Sequence, residues 1–419
     1  MGYMMRRFLP LLLTLAAALP AGAQSVRLTH YQAPSALYAD LGRLFNYNLY
    51  EHARFEAGLT WVQPNISFSG TSVRGFLGQW TLSAYGAYGV QDRAFKYGAS
   101  VQLRPGNYLH PSRKDLRLRL AFKDDLERAA SRRLEDYRMT ATSLNTGYLA
   151  SRFSRVQALE GKVIWKPATQ WESSVGLRYS REQERFDSTG MLYVAQGTLL
   201  PPELADSPQP WVNFTEAALR VDYTDRDYHP THRLTLLLQP GVAYPSQPHP
   251  YLRLLAQYAY GEVDAFGAAV GLHLWAQAGY ATGKAPTTRR FDVSGTGGTP
   301  YYFEHTFLTV PPNTVITDLF AHLCVKYIAP EPLWKSLYSN PRPFLQANAA
   351  IADMGVHGGW LHKVADRSSP LLEPATGFDG ILRWGILDMG VAVAYRIIPF
   401  DTINPTDNIA FAIVARLIV

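Results

Sequence analysis

Apolar and polar residues alternate at every second position over long stretches of this chain. In the segment 80–90 the even positions carry Trp, Leu, Ala, Gly, Tyr and Val, and the odd positions carry mainly Thr, Ser and small residues. The alternation stops at Gln91-Asp92-Arg93 and resumes over 95–103. A period of two residues is typical of a strand with one apolar face. The stretch therefore predicts a β-hairpin whose apolar face contacts either a protein core or lipid.

The same alternation predicts fourteen strands along the chain. They lie at 52–62, 80–90, 95–104, 115–123, 152–165, 170–180, 212–223, 231–240, 250–261, 266–281, 314–328, 341–353, 383–398 and 408–419. A transmembrane strand needs about 9–11 residues, a length that many of these segments reach, whereas soluble strands average about 5–6. Tyr and Trp stand at the ends of the apolar rows, as in interfacial girdles. We therefore predict an all-β fold, a transmembrane antiparallel β-barrel. A soluble β-sandwich or soluble barrel, which would turn its apolar rows inward, is the alternative.

The fourteen strands found by alternation do not give a complete barrel. Bacterial barrels have even strand numbers, with short periplasmic turns and long outer loops. The turns 91–94 and 166–169 are both short, yet strict alternation of the strands above places them on opposite sides. A further strand within 136–150 and another at 301–310 would give sixteen strands, the preferred number, with fourteen as the alternative. Residues 124–137 predict a short amphipathic helix. The predicted loops are 181–211, 282–300, 329–340 and 355–380.

The amino terminus has the pattern of a secretory signal peptide. Arg6 and Arg7 precede an apolar run over 8–19, and Ala21-Gly22-Ala23 is a small-x-small cleavage site. We predict a signal peptide at 1–23 with cleavage after Ala23, a short periplasmic segment at 24–51 and an outer-membrane barrel at 52–419. The expected location is the outer membrane, with its lipid as one partner.

Composition removes several other classes of protein. The formal net charge of +6 is dispersed, and no run of Lys and Arg indicates a nucleic-acid partner. The single cysteine, Cys324, excludes an internal disulfide. His229, His232 and His249 lie near predicted turns and match no zinc spacing. We expect no metal and no cofactor.

Charged residues on the polar rows are predicted to line the lumen. The candidates are Arg117, Arg119, Lys123, Arg178, Arg220, Arg253, Glu216, Asp318, Asp388, Arg396 and Arg416. One hypothesis is a water-filled pore whose positive bias favours anions. The other is an interior in which both signs pair and fill the space, because buried charges need partners.

A catalytic site in the barrel wall has one weak candidate. His273 falls on an inward row, and Asp318 or Asp388 from other strands could orient it. The spacing places no Ser beside it, and a lone lumen His is more often structural or a pH-tuned pore group. We expect no catalytic residue and no enzyme.

Several segments resemble a known domain. FNYNLYEHARFEAGLTW, SAYGAYGVQDRAFKYGASVQL and DLRLRLAFKDDLE look like the start of a barrel domain of unknown function from Bacteroidota outer-membrane proteins, where it often follows a carboxypeptidase-regulatory-like domain. The closing run from PRPFLQANAAIADMG through GILDMGVAVAYRII to the last residue is similar to that domain's end. It also resembles, more distantly, the barrels of the BamA/TamA assembly-factor superfamily.

One short motif extends this resemblance. Val73-Arg74-Gly75-Phe76 looks like the loop tip of assembly-factor barrels, in which the arginine reaches into the lumen and meets an inward acid. In those barrels the loop comes late in the chain, whereas here the motif follows the first predicted strand. A loop with a turn-forming Gly is the default interpretation.

Three functions stay open at this point. The leading hypothesis is transport, the passage of a solute or client through or along the barrel. The second is outer-membrane protein assembly or insertion, as the distant superfamily implies, with periplasmic or envelope proteins as partners. The third is a hydrolase in the barrel wall. Fold alone does not choose between them.

Overall fold

In the computed structural model, most of the described residues form strands. The structure describes residues 25–27, 35–40, 45–48, 51–63, 79–105, 115–128, 152–186, 210–225, 232–261, 270–282, 285–293, 295, 301–302, 305–310, 316–353, 370–384, 387–397 and 408–417. The strands are β1 (Ser25–Arg27), β2 (Ala36–Asp40), β3 (Phe45–Asn48), β4 (His52–Gln63), β5 (Gln79–Gly89), β6 (Phe95–Arg104), β7 (Asp115–Arg128), β8 (Arg152–Ala168), β9 (Trp171–Phe186), β10 (Val212–Thr224), β11 (His232–Tyr244), β12 (His249–Tyr260), β13 (Gly271–Ala281), β14 (Phe291–Asp292), β15 (Tyr301–Tyr302), β16 (Ile316–Thr317), β17 (Leu319–Ile328), β18 (Arg342–Asp353), β19 (Leu371–Trp384), β20 (Leu387–Tyr395) and β21 (Ile409–Leu417). A single 3-10 turn is described, at Thr287–Arg289. No helix among these residues is long and apolar enough to cross a membrane.

The strands form one large antiparallel sheet in chain order. Each strand from β4 to β13 pairs with the next, β13 pairs with β17, and the order continues to β21. β2 and β3 both pair with β4, along its 58–62 and 52–55 halves respectively. They therefore act as one interrupted first strand, and the sheet has sixteen antiparallel strands. The all-β antiparallel fold with sixteen strands is confirmed.

The two strands added to the fourteen lie elsewhere than expected. They are the first strand at 36–48 and β19, which occupies part of the predicted loop 355–380. The described pieces of the first, β2 and β3, are only five and four residues long. Pro374 and a β-bulge between Phe378 and Leu382 break the pattern of the second. The sheet thus begins before residue 52, and the predicted strand 383–398 is divided between β19 and β20.

At neither of the two sites proposed for missing strands does the described part of the chain contain an additional wall strand. β7 pairs directly with β8, so no strand lies between them, and residues 136–150 themselves lie outside the described part. Within 301–310 only Tyr301–Tyr302 is a strand. The short connections 90–94 and 169–170 therefore lie at opposite ends of the sheet, as the fourteen predicted strands already placed them, and short connections occur at both ends.

The helix predicted over residues 124–137 is wrong for residues 124–128, which belong to β7. β7 continues to Arg128, and its residues 124–128 pair with 153–157 of β8. Arg155 donates from Nε to Asp124 Oδ1 at 2.5 Å, which adds a charged contact across this pair. The cross-strand partners outweigh the local helical periodicity.

The two faces of the sheet differ as a membrane barrel requires. On β17, Leu319, Leu323 and Tyr327 are exposed, whereas Phe320, Cys324 and Ile328 are buried. The same alternation gives the other wall strands an outer row of large exposed apolar side chains. Charged side chains such as Lys96, Glu216 and Glu373 are buried on the inner face. This is the reverse of a soluble barrel, which keeps its charges in water.

The sheet curves around the chain segment that joins β13 to β17. This inner segment, residues 282–318, contacts β9 and β10 through Arg289 and contacts β19 through Leu308 and Thr309. Because these strands are far apart in the sheet order and face the segment with their buried rows, the wall must wrap around it.

Both ends of the sheet end on short strands. β1 pairs antiparallel with β2, and β15 of the inner segment pairs in parallel with β21, with Tyr301 opposite Ile413. Among the described pairings, none joins β21 to β2 or β3. In the described part of the sheet the first and last strands are thus not joined, and we call the boundary between them the seam.

Candidate functional site inside the barrel

The inner segment is a folded element inside the lumen. β14 pairs with β16, which ties its two ends together. Gly295 lies against the backbone of Phe307, and a Cβ there would stand 1.8 Å from the Phe307 carbonyl oxygen. Only glycine fits this close approach. Phe291, Val293, Phe307 and Val310 are buried in one apolar cluster with the barrel wall.

One end of the inner segment is held by an arginine between two acids. Arg289 Nη1 and Nη2 donate to Glu182 on β9 at 2.9 and 2.5 Å. Its Nε and Nη2 donate to Glu216 on β10 at 2.8 and 3.0 Å. We call these three residues the Arg289 latch. Double bidentate pairing of this kind gives both strength and direction.

The Arg289 latch is buried and further supported. The Arg289 guanidinium lies 4.4 Å from the ring centroid of Phe214. Glu216 Oε1 also accepts hydrogen bonds from the Tyr251 hydroxyl at 2.6 Å and from Gln239 Nε2 at 2.8 Å. Burial lowers the pKa of Arg289, but the carboxylates of Glu182 and Glu216 raise it further, so the pKa lies well above its ordinary value. Arg289 therefore stays protonated at physiological pH.

Arg290 and Arg253 extend the contact around the latch. Arg290 Nε lies 3.0 Å from Asp318 Oδ1, which fastens the segment to its own far end. Arg253 on β12 donates to Gln239 Oε1 at 3.2 Å, and its guanidinium lies 4.8 Å from the ring centroid of Phe291.

The other end of the inner segment is held by a single acid. Glu373 on β19 accepts the backbone N–H groups of Leu308 and Thr309, each at 2.8 Å, and the Thr309 hydroxyl at 2.5 Å. We call this contact the Glu373 latch. Asn348 Nδ2 donates to the Thr306 carbonyl at 2.9 Å, and Arg396 Nη1 donates to the Thr309 carbonyl at 3.4 Å. The backbone of 306–309 thus finds its partners on the barrel wall.

Aromatic stacking lies between the two latches. The His305 ring is parallel to Trp275 with centroids 4.9 Å apart, and the His322 ring stacks on Phe307 at 4.9 Å. His305 has a φ of +63°, a left-handed conformation uncommon for a residue with a side chain. The stack helps hold this conformation in place.

The wall from β4 to β7 carries a separate charged network. Arg54 donates to Asp125 at 2.7 and 2.9 Å and to Glu56 at 3.1 and 2.8 Å. The Tyr85 hydroxyl donates to Asp125 at 2.7 Å. Lys96 is buried between Glu51 and Asp92. These contacts join residues of the wall to one another.

Most of the predicted lumen charges have partners on neighbouring positions. Arg117 pairs with Asp115 and Glu172, Lys123 with Glu127, Arg178 with Glu127 and Glu182, Arg220 with Asp222, and Arg396 with Asn408. Glu216, Arg253 and Asp318 surround the inner segment, as given above. Arg119 lies on the inner row of β7 but stays exposed to solvent. Asp388 and Arg416 stand opposite each other in the β20–β21 register, and their side chains are outside the described part.

The structure does not bring the proposed catalytic pair together. His273 stands opposite Lys326 in the β13–β17 register, whereas Asp318 lies at the opposite end of these strands and contacts Arg290. No cluster of three or more His, Cys, Asp or Glu suited to a metal ion occurs among the residues with described positions.

Sequence reasoning missed the arginine that meets the inward acids. This residue, Arg289, lies within the predicted loop 282–300. The adjacent pair Arg289-Arg290, in a stretch whose other charged residues are Lys284 and Asp292, was an available signal. Glu182 and Glu373 gave no signal, because both fell in predicted loops. The motif Val73-Arg74-Gly75-Phe76 lies outside the described residues and stays a prediction.

Comparison with known proteins gives only distant similarity. No protein-family model matches the chain, and a search of curated proteins finds no match. BamA from Haemophilus ducreyi lacking POTRA domains 1–3 has 15% identity and a TM-score of 0.47, over 94% of this chain and 74% of that one. CdiB from Escherichia coli has 9% identity and a TM-score of 0.43, over 93% and 63%. CdiB from Acinetobacter baumannii has 9% identity and a TM-score of 0.41, over 87% and 57%. The match thus covers less than two thirds of either CdiB chain, and function has to be argued from this chain's own residues.

Proposed function

We propose that the protein is an integral outer-membrane barrel of BamA/TamA type that assists the assembly or insertion of a client polypeptide at its seam. The observation that carries the proposal is the edge of the last strand, β21, which among the described residues pairs only with Tyr301 and Tyr302 of the inner segment. The proposal includes no catalytic step.

The outer face supports insertion into a bilayer. Large apolar side chains are exposed on consecutive wall strands, for example Phe95, Leu177 and Phe411. A soluble monomer rarely exposes a contiguous apolar surface of this extent. The hydrocarbon of a membrane can cover this apolar surface. The strands can cross it because the sheet pairs their backbone hydrogen-bonding groups.

The lumen supports a closed resting state. The inner segment fills the space beside β10–β21, and most of the described charges of β4–β9 are paired along the wall. Free passage of a solute would require both latches to release. An open pore is therefore not the state that the contacts stabilise.

The seam supports work on a polypeptide. A strand edge presents unpaired N–H and C=O groups and accepts an added strand of any sequence through main-chain hydrogen bonds. β15 covers only Ile413 and Val414 of β21, whose residues 409–417 pair with β20 on their other side. An incoming strand could pair along the remainder of this edge and then replace the two-residue cover.

The proposal is tested with the refolded full chain in vesicles. A denatured outer-membrane barrel protein is added, and its folding is followed by heat-modifiable migration on a gel. We expect faster folding than in empty vesicles. A matched vesicle sample holding an unrelated refolded barrel controls for bilayer disturbance, and equal rates in the two samples would exclude assembly activity.

Gated transport is the second candidate function. Arg119 on the inner face remains exposed, so water reaches part of the charged wall. Conductance in planar bilayers distinguishes the two: a silent wild-type barrel together with faster client folding supports assembly. Stable, anion-selective steps without faster client folding would support transport instead.

Export to the outer membrane is part of the same proposal. The predicted cleavage after Ala23 gives a mature chain that starts at Gln24. The mass of the protein recovered from outer-membrane fractions checks both the cleavage and the location.

A further inference from the structure

The connection between β17 and β18 carries an unusual group of exposed apolar side chains. We call residues 329–341 the rim hairpin. Leu333, Trp334, Leu337 and Tyr338 are 58%, 54%, 82% and 59% exposed. The other wall connections described in full, 90–94, 169–170 and 245–248, have a single large apolar side chain among them, Val90. Turns in water favour Gly, Pro, Asn, Asp and Ser, so this group of side chains indicates a less polar surrounding.

The rim hairpin is held in one conformation by its own hydrogen bonds. The Ala329 N–H donates to the Pro343 carbonyl, and the Leu333 N–H donates to the Pro341 carbonyl, each at 2.9 Å. The Ser336 N–H donates to the Ser339 carbonyl at 2.7 Å, which leaves Leu337 and Tyr338 at the tip. The Trp334 indole N–H donates to Ser339 Oγ at 3.0 Å. The apolar side chains are therefore displayed by a formed structure.

The neighbouring strand fixes the position of the rim hairpin. The Asn340 N–H donates to the Gly380 carbonyl at 2.8 Å. Gly380 has a φ of +73° and lies within the irregular stretch of β19 between Phe378 and Leu382. Glycine adopts this left-handed conformation without strain. The irregularity that hid β19 from the sequence pattern thus supplies an anchor for the hairpin.

The hairpin continues the outer apolar surface of the barrel. Tyr327 and Leu345 stand opposite each other in the β17–β18 register next to the hairpin, and both are exposed on the outer face. Trp, Tyr and Leu beside an exposed lysine, Lys335, form the composition that membrane interfaces favour. The apolar side chains of the hairpin therefore begin where the outer apolar rows end.

We propose that the rim hairpin is a membrane-interface anchor, whose Leu337–Tyr338 tip enters the headgroup region of the adjacent lipid leaflet. The partner is the lipid surface itself. The inference rests on the membrane-embedded barrel of the proposed function, and it is independent of any action on a client.

Site-specific fluorescence quenching in vesicles tests the anchor. Single cysteines at Leu337→Cys, Thr169→Cys and Leu177→Cys are made in a Cys324→Ala background and labelled with a polarity-sensitive fluorophore. Thr169 lies in an exposed connection at the same end of the barrel, and Leu177 is exposed on the outer face in the middle of β9. The full chain is refolded into phosphatidylethanolamine and phosphatidylglycerol vesicles that carry a nitroxide at the headgroup or in the acyl chain.

We expect the headgroup nitroxide to quench the probe at 337 at least about threefold more than the probe at 169, because interfacial segments bury their apolar face by about 5–10 Å. Equal quenching at 337 and 169, with free access of aqueous iodide to both, would overturn the anchor. Protection at 337 from both quenchers would assign the surface to a protein partner and would also overturn it. If the acyl-chain nitroxide does not quench the probe at 177, the barrel is not embedded in the bilayer. That result identifies a failure of the proposed function rather than of the anchor.

A label-free measurement guards against a fluorophore that inserts by itself. The emission difference between the wild type and Trp334→Phe isolates one of nine tryptophans. We expect brominated lipids to quench this difference signal, whereas quenching only by iodide would contradict the anchor.

Discussion

The two halves of the barrel wall combine ion pairs and packing in different proportions. The charged wall, β4–β9, turns inward arginines, lysines and acids that pair mainly with one another, as Arg54 does with Asp125. The packed wall, β10–β13 and β17–β21, also holds buried pairs such as Lys326 with Asp379. It adds inward apolar and small side chains, which form one cluster with the inner segment, for example Leu255, Phe320 and Ala350. The Arg289 latch lies where the two walls meet, with one acid from β9 and one from β10. The comparison shows that the charged wall is stabilised mainly by ion pairs, whereas the packed wall depends in addition on an internal element.

The difference has an energetic consequence for the inner segment. Apolar burial against the packed wall is non-directional and distributes its stabilisation over many contacts. The two latches are directional and involve few residues, so they decide where the segment lies. Changes at the latches should therefore release the segment, while changes in the charged wall should leave it in place.

The largest effect is expected for Arg289→Ala. This substitution leaves Glu182 and Glu216 buried without their main cation, and breaking a buried pair in this way costs about 3–5 kcal/mol. Hydrogen exchange of the amides in 285–293 should then accelerate by a factor of roughly 10² or more, at 1.4 kcal/mol per tenfold. Arg220→Ala in β10 removes the same charge from a pair with Asp222 and is the control. Equal exchange in both variants would show that the latch does not hold the segment.

A smaller effect is expected for Glu373→Gln. The amide keeps one acceptor oxygen but turns an NH₂ group toward the donors of Leu308 and Thr309, at a cost of about 1–3 kcal/mol for a buried unsatisfied group. Exchange should increase in 305–310 and stay unchanged in 285–293. Glu160→Gln on β8 is the matched control in the charged wall. Acceleration of both stretches together would mean that the two latches act as one unit.

Glycine substitutions compare the packing of the two walls directly. At Gly279 in β13 a Cβ would stand 2.4 Å from Phe320 Cε1 and 2.9 Å from Phe291, so Gly279→Ala should destabilise the barrel by about 1–3 kcal/mol. At Gly176 in β9 the nearest atom is at 3.5 Å, an ordinary contact. Gly176→Ala should therefore be neutral or stabilise by up to about 1 kcal/mol. The denaturant midpoint of unfolding from micelles measures both, and a similar loss in the two variants would remove the contrast.

The smallest effect is expected for Asp125→Asn in the charged wall. Asp125 accepts two hydrogen bonds from Arg54 and one from the Tyr85 hydroxyl, and the amide keeps one acceptor oxygen. Because Arg54 keeps Glu51 and Glu56 as partners, the loss should be about 1.5 kcal/mol, the lower end of the range for a hydrogen bond to a charged group. Exchange should rise in β4 and β7, with the inner segment unaffected. Faster exchange in 285–310 would show that the charged wall also supports the segment.

Strand positions could be predicted wherever the alternation was unbroken. The predictions for β4–β6, β8, β10–β12, β18 and β21 were correct within a few residues because each keeps one apolar row along its length. The bounds of β9, β13 and β17 were less accurate, and the predicted loop 181–211 was wrong at its start because β9 continues to Phe186. The first strand was missed because its described pieces are short, and β19 was missed because a β-bulge breaks the period. β7 was ended too early because 124–128 also fit a helix. In each case a neighbouring strand supplies the backbone partners that local pattern cannot show.

The candidate site was less predictable than the strands. Glu216 and Arg253 were on the inward rows, but their partner Arg289 lay in a segment read as an outer loop. One sequence contains no information on which distant strands face each other, so the pairing of Arg289 with Glu182 and Glu216 could not be derived. The hypothesis of a paired, filled interior fits these contacts better than a continuous open pore does.

The sequence by itself determined an all-β barrel with an apolar outer row and a charged inner row, because a two-residue period is a local property of each strand. Only the tertiary structure decided that the described parts of the segment 282–318 turn inward and that the Arg289 latch and the Glu373 latch hold them at two places. It also decided that β21 ends the described wall at the seam. These features depend on contacts between strands far apart in the chain, and the free energy of such contacts arises only when the sheet has curved around its interior.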